Sequence, residues 1–415
     1  MRFHVVALPH THVTSAFASC AFSQKVLRFC QMMTGLGHEV FLYAGEQNDA
    51  PVAEHIVCVS EADRAVLVGD RHYTAADWGH PGWHTFNSKV IDEMGSRLQQ
   101  KDFICLIGGY AQKPIADAFP NHISVEFGIG YAGTFAKFRV FESYAWMHMV
   151  YGAQAGSADR ADGNWYDAVI PNQVDGALFP DPEIREPQHG GAGMRGPLGP
   201  RTMPDGAEVW PSKAEEDAAR AEERLSNRIH DISCKQCREW IAKSRSEEND
   251  YYLYVGRLID RKGYRIAQEV CESLGKRLVL AGPGEHHGYG EFVGEVGPYH
   301  RYRLMSGAIA LFAPTIYVEP FGTVHIEAMA CGTPVISTDW GVFTETIEQG
   351  VNGFRCRDFS EFCNAANKVK DLDRQAIRAS ALKRYGMDAV APQYESYFKR
   401  LMNLWGEGWY EQMAC

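Results

Sequence analysis

The run from Glu319 to Pro334 carries two carboxylates eight residues apart, Glu319 and Glu327, around the tetrad Phe321-Gly322-Thr323-Val324. Glu319 falls in a loop after a predicted strand, and Glu327 on the helix predicted to follow. Gly322 lets backbone approach a ligand closely. A helix beginning near Thr323 offers unpaired N–H groups and a positive dipole end, both suited to a diphosphate. Ionised carboxylates only accept hydrogen bonds, which suits hydroxyl groups on a ligand. One short segment could then hold phosphate with its backbone and hydroxyls with its side chains. A strand–loop–helix corner with two surface acids has the same spacing, so the spacing leaves both readings open.

A second segment, Gly256-Arg257-Leu258-Ile259-Asp260-Arg261-Lys262-Gly263, sets Arg257 at a strand end and Lys262 at a helix start. Both then reach one crevice, where Arg binds a diphosphate in bidentate fashion and Lys acts as a point charge. Two solvated loop cations are the plainer reading of an isolated pair. In the first half, Thr11, Thr14 or Ser15 of the loop after the first strand could donate to phosphate. Glu126, with Gly128, Gly130 and Tyr131, is a candidate base, but a structural carboxylate bonding loop N–H groups is the favoured reading. His10 and His12 lack an identifiable third ligand, so no metal site is assigned. Asp371-Leu372-Asp373 is better explained by helix capping than by metal binding.

The elements that must position these residues alternate. Phe3–Leu8 reads as a strand. A helix follows with Phe22, Val26, Phe29 and Met33 at near-helical repeat, then Gly35-Leu36-Gly37, then a strand over 38–43. Further strands are expected at 103–107, 122–126 and 168–170. The second half repeats the pattern, with strands at 251–255, 277–281, 311–313 and 335–337 and a helix over 323–330. Two α/β halves of this kind place ligand at the carboxyl ends of their strands. The expected domains are 1–168 and 169–387, with an insertion at 183–249, and a C-terminal helix within 388–415 whose face Tyr394, Phe398, Leu401 and Trp405 packs either on the second domain or back on the first. The insertion reads as a Gly/Pro-rich and then highly charged surface segment, and its single pair Cys234 and Cys237 is at most half a zinc site.

Bulk composition narrows the classes. A net charge of −11 opposes general nucleic-acid binding. No apolar run reaches membrane-spanning length. Eleven scattered cysteines suit a reducing compartment, so a cytoplasmic location is expected.

Five segments in this order resemble the motif blocks of glycosyltransferase family 4: Val169 to Asp175, Gly256-Arg257 with Lys262-Gly263, Gly282-Pro283-Gly284, Phe292 to Val296, and Glu319 to Pro334. That family is retaining and has the GT-B architecture. The resemblance implies an α/β protein of two Rossmann-like domains facing each other across a cleft. It implies transfer of a hexose from a nucleotide-diphospho-sugar, of UDP-glucose type, to a hydroxyl acceptor. No metal and no cofactor are implied, since the nucleotide-sugar is a co-substrate. Glu319 would contact the donor sugar's hydroxyls and Glu327 the ribose. Backbone of Phe321, Gly322, Thr323 and Val324 would meet sugar and diphosphate, with Gly282 in the adjoining glycine loop. Arg257 and Lys262 would stabilise the departing diphosphate, and Glu295 and Val296 would flank the base. The first-domain loop departs from the family, having Pro9-His10-Thr11-His12-Val13-Thr14 where many relatives carry a glycine pair, so Thr11 and Thr14 are assigned from the residues alone.

The acceptor stays open among a glycan, a lipid head group, a small metabolite and modified DNA. Thr338-Asp339-Trp340-Gly341, Pro314-Thr315 and Ala7 to Thr11 resemble bacteriophage transferases, some of which glycosylate hydroxymethylated pyrimidines in DNA. The acidic charge opposes a DNA acceptor, while Arg185, Arg195 and Arg201 could serve one. A nucleotide-sugar epimerase on the same architecture is the other alternative. A non-catalytic binding module is disfavoured by the intact acids and cations.

Overall fold

The computed structural model describes residues 1–179, 201–202, 208–209 and 250–405. The expected insertion, with Arg185, Arg195, Cys234 and Cys237, lies outside the described residues, apart from a two-residue antiparallel pair whose strands are given below.

The first sheet is built from β1 (Arg2–Val6), β2 (Glu39–Gly45), β3 (Glu54–Val59), β4 (Phe103–Leu106), β5 (Ile123–Ile129), β6 (Phe138–Phe141) and β7 (Ala168–Val169). Their order is β3-β2-β1-β4-β5-β6-β7, and neighbours run parallel. The short pair is β8 (Arg201–Thr202) with β9 (Glu208–Val209). The second sheet comprises β10 (Tyr252–Val255), β11 (Leu278–Ala281), β12 (Glu291–Phe292), β13 (Leu311–Ala313), β14 (Val335–Thr338) and β15 (Gly353–Cys356), in the order β12-β11-β10-β13-β14-β15. Both sheets therefore reverse direction beside their first strand, as doubly wound folds do.

Helices cover both faces of each sheet. Hence the central strands are apolar along their whole length: β4 is Phe-Ile-Cys-Leu and β11 is Leu-Val-Leu-Ala, every residue buried. Separate cores fill the two faces of each sheet.

Two chain crossings join the units, and they pair with each other. Val174 N–H donates to the Tyr385 carbonyl at 2.8 Å, and Met387 N–H to the Val174 carbonyl at 3.1 Å. After the second crossing, helix Met387–Met402 turns back onto the first unit. Phe398 sits edge-on to Phe3 and Phe103, with centroids 4.7 and 4.9 Å apart, and Tyr394 meets Phe29 at 5.2 Å. Tyr394, Phe398 and Leu401 of this face lie in one core cluster with β1, β4 and helix Ala21–Gly35.

The last helix thus belongs to the core of the first unit, and Phe398 is fully buried there. Phe398→Ala should cost about 3–5 kcal/mol, the usual loss for a buried Phe. Urea denaturation measures it, and a loss near zero would contradict the packing. Among the described residues, no helix is long and apolar enough to cross a membrane.

Candidate functional site

Topology concentrates the chemistry. The reversal point of the second sheet lies between β10 and β13, and ligands of such sheets bind outside the strands' carboxyl ends there. The loop leaving β10 carries Arg257 and Lys262, and the loop leaving β13 carries Glu319 and Gly322. Gly263 brings the loops together: its φ is +73°, and a Cβ there would overlap the Pro314 carbonyl oxygen. Only glycine allows that approach.

Lys262 Nζ donates to Glu319 Oε2 at 2.6 Å. The Lys262 and Glu319 side chains are only 20% and 9% exposed, so solvent screens the pair weakly. Tyr317 packs below, its ring 5.1 Å from Lys262 Nζ and 4.9 Å from the Arg261 guanidinium. Burial, followed by the Glu319 charge, pushes the Tyr317 phenol far up, and the Arg257 charge pulls it back. Arg257 itself is exposed.

Gly322 caps helix Thr323–Ala330 in the left-handed conformation, φ +73° and ψ +66°. Glu319, Gly322, Val324 and His325 line one small cavity together with Lys262. Phe321 points away into the core and is 1% exposed, so it can serve the site only through backbone. Glu327 lies one turn beyond Thr323, 4% exposed, and accepts from Arg301 Nη2 at 3.1 Å. Gly282 follows β11, and its N–H donates to Gly294 at 2.8 Å.

His325 is enclosed by Phe321 and Phe343, with ring centroids 5.7 and 5.3 Å away. Burial holds it neutral, its pKa pulled down to about 3. The unfolded chain therefore takes up this proton first. His325 costs no stability above the ordinary imidazole value of 6.5, and stability is lost as pH falls from there towards 3. His4 and His10 act in the same direction, each pulled down to about 4 by burial. His325→Leu should flatten the fall of melting temperature between pH 6.5 and 4; parallel curves for the two proteins would refute this.

The first unit closes the cleft through direct contacts. Ser143 Oγ donates to the Pro320 carbonyl at 2.6 Å. Glu345 accepts from Tyr144 and Ala145 N–H at 3.0 and 2.8 Å, at the start of helix Tyr144–Ala155. Asn172 Nδ2 reaches Thr323 Oγ1 at 3.3 Å. Arg28 Nη1 donates to the Gln173 carbonyl at 2.7 Å, with Nη2 3.9 Å from Glu327. Ser19 Oγ donates to Glu295 Oε1 at 2.6 Å, which ties the expected base-flanking residue to the opposite unit. Val296 is half-buried beside it.

The first-unit candidates fare differently. Glu126 is fully buried. Its carboxylate accepts from Tyr131 OH at 3.1 Å and from the N–H groups of Phe135 and Ala136, both at 2.8 Å. Burial pushes its pKa up, and the two backbone N–H groups pull it back. These are the partners of the structural carboxylate favoured from the sequence over the candidate base: Glu126 braces the loop after β5. Thr11 is buried, and its Oγ1 is bound to Ser23 Oγ at 2.6 Å. Thr14 Oγ1 is buried without a hydrogen-bond partner. His12 bonds Glu61 at 2.7 Å, while His10 packs on Trp78 and Trp83. Asp373 caps helix Arg374–Tyr385, accepting from Gln375 and Ala376 N–H.

Sequence reading missed Lys25, Arg28, Glu142 and Arg301. A signal was present for two of them: Lys25 and Arg28 interrupt the apolar pattern of helix Ala21–Gly35 and are nevertheless largely buried, at 9% and 12% side-chain exposure.

Residues 237–387 match the family model described as Glycosyl transferases group 1. An uncharacterized glycosyltransferase of Methanocaldococcus jannaschii is 34% identical over 124 residues, 26% of this chain and 32% of that protein. The matched stretch thus spans about a third of that relative's length. Among solved structures, the catalytic domain of starch synthase IV from Arabidopsis thaliana, bound to ADP and acarbose, aligns with a TM-score of 0.62 at 11% identity, covering 97% of this chain and 99% of that one. Anabaena HepE in complex with UDP-glucose aligns with a TM-score of 0.56 at 15% identity, covering 96% and 100%. Such identities show the fold: two Rossmann-like α/β units in the GT-B arrangement. Within that fold, residues 237–387 carry the sequence pattern of the group 1 glycosyl transferases.

Proposed function

We propose that the chain is a retaining glycosyltransferase that moves a hexosyl unit from a UDP-linked sugar, of UDP-glucose type, to a hydroxyl acceptor. The single observation that carries this is the Lys262–Glu319 pair at the open end of helix Thr323–Ala330. An ammonium has three N–H donors. One goes to Glu319, which leaves two for a diphosphate lying against the helix N-terminus. Arg257 adds a second cation from the same loop. Positive charge of the kind a departing diphosphate requires would come from these two groups, and the Lys262 ammonium, held by Glu319, would act with little reorganisation. Glu319, held by Lys262, keeps acceptor capacity for sugar hydroxyls. Glu327, held by Arg301, keeps the same capacity for a ribose. The uridine base goes with the UDP-glucose type of donor; HepE, which shares the fold, was solved with UDP-glucose, and the starch synthase with ADP.

The test is a thermal-shift series with UDP, ADP and UDP-glucose, followed by an assay of UDP release. A ligand at a hundred times its Kd adds about 2.7 kcal/mol to the folded state. UDP and UDP-glucose should raise the melting temperature, and UDP-glucose should be turned over. No shift with any nucleotide would end the proposal, while a shift with ADP alone would correct the base.

A further inference from the structure

The cleft side of the first unit carries a set of side chains that the donor site does not use. Helix Ala21–Gly35 carries Phe22, half-buried, and Lys25, buried, three residues apart. Lys25 Nζ donates to the Gly128 carbonyl at 3.0 Å and forms an ion pair with Glu142. Both side chains are under a tenth exposed. Glu142 Oε2 also accepts from Asn172 Nδ2 at 3.0 Å, and the same amide reaches Thr323, the first residue of the donor-site helix. Burial pulls the Lys25 pKa down to about 7, and the Cys20 and Glu319 charges push it part of the way back. The Lys25–Glu142 pair is thus placed directly across from the donor elements.

An aromatic wall runs outward from that pair. Lys25 Nζ lies 4.8 Å over the Phe22 ring. Phe22 meets Tyr131 at 5.8 Å and Trp78 at 6.1 Å. Trp78 stacks on buried Trp83 at 4.9 Å and 22°, and His10 supports it edge-on at 5.5 Å. His10 is 3% exposed and its Nδ1 has no hydrogen-bond partner. Trp78 remains 43% exposed although three rings hold it. A partly exposed indole held by three rings, and linked through Phe22 to a buried polar pair, has the make-up of a ligand subsite.

We propose that Trp78 and Phe22, with Lys25 and Glu142 at the inner end, form the acceptor subsite, and that its ligand is a neutral saccharide. This rests on the transferase reading above. A pyranose has an apolar C–H face, which suits the open indole, and a rim of hydroxyls. One hydroxyl donates to Glu142 and another accepts from Lys25. Glu142 cancels the Lys25 charge, so the subsite offers no net positive charge to a phosphate or a nucleic-acid strand, and the chain as a whole carries −11. In the transfer, the acceptor oxygen bonds to the sugar's anomeric carbon while the carbon–diphosphate bond breaks. The electron pair leaves with the diphosphate, which also takes the hydroxyl proton.

The test uses the full chain in the presence of UDP, with methyl α- and β-D-glucopyranoside, maltose and a single-stranded oligonucleotide as probes, and saturation-transfer NMR and calorimetry as readouts. At least one saccharide should bind. Trp78→Ala should weaken that binding by about five- to ten-fold, the scale of one lost aromatic face, and Trp78→Phe should largely restore it. A thermal melt of each variant checks folding. If UDP shifts the wild-type melt but no saccharide binds, or the oligonucleotide binds instead, or Trp78→Ala binds saccharide as well as wild type, the subsite is overturned while the donor reading stands. If UDP causes no shift in wild type, the donor reading fails first and takes this subsite with it.

Discussion

Lys262→Ala should lower sugar transfer by about 10²–10³-fold, the cost of removing one preorganised group from a developing negative charge. Lys262 is positioned by three features: the turn ending at Gly263, the Tyr317 ring beneath it and the 2.6 Å bond to Glu319. The variant loses the ammonium that meets the leaving diphosphate, and it leaves Glu319 without its ion-pair partner. The fall should appear mainly in kcat, because the charge on the diphosphate oxygen being released grows during bond breaking. Lys262→Arg tests geometry separately from charge. A planar guanidinium cannot reproduce a point charge at Nζ, so Arg should recover only part of the loss. Steady-state UDP release at saturating donor measures both, and near-normal turnover in the alanine variant would remove Lys262 from the mechanism.

Glu319→Ala should abolish most turnover as well, by a different route. Its carboxylate is 9% exposed at the side chain and is placed by Gly322, where a Cβ would stand 2.9 Å from Glu319 Cγ. Removing it takes away an acceptor for the donor sugar's hydroxyls and frees Lys262 to swing. A donor hydroxyl buried without a partner costs about 1–3 kcal/mol, and mispositioning adds to that. Glu319→Gln keeps shape and hydrogen-bonding capacity but not charge, so it should retain more activity than alanine. Circular dichroism and a thermal melt separate lost function from lost fold. Equal activity of wild type and Glu319→Ala would mean that the carboxylate faces no substrate.

Much of this site is legible in the chain because it is local. Gly256 to Gly263 and Glu319 to Gly332 each form one strand–loop–helix turn, and each turn sets its own side chains at a strand's carboxyl end. Strands such as β10, β11 and β14 are short apolar runs bounded by glycine or by loops, so they were found within a residue or two. β3 escaped because Glu54-His55-Ile56-Val57-Cys58-Val59 lies at a sheet edge and mixes polar with apolar residues. β6 escaped because Phe138-Arg139-Val140-Phe141 carries a charge, which the structure satisfies by pairing Arg139 with Asp167 at 2.7 Å.

Contacts between distant segments were not legible. Lys25 with Glu142, Arg28 with Gln173, and Ser143 with Pro320 join distant parts of the chain, and no local pattern announces such partners. Glu126 shows the complementary case. A carboxylate at a strand end fits a base and a loop brace equally well until its hydrogen-bond partners are known.

The central claim is that Lys262, beside the open end of helix Thr323–Ala330, receives the diphosphate of the donor. Calorimetric titration of UDP and of uridine into wild type and Lys262→Ala tests it most directly. The account predicts that the substitution weakens UDP binding at least about ten-fold, equivalent to 1.4 kcal/mol, and leaves the weaker binding of uridine unchanged. UDP binding of equal strength to both proteins would contradict it.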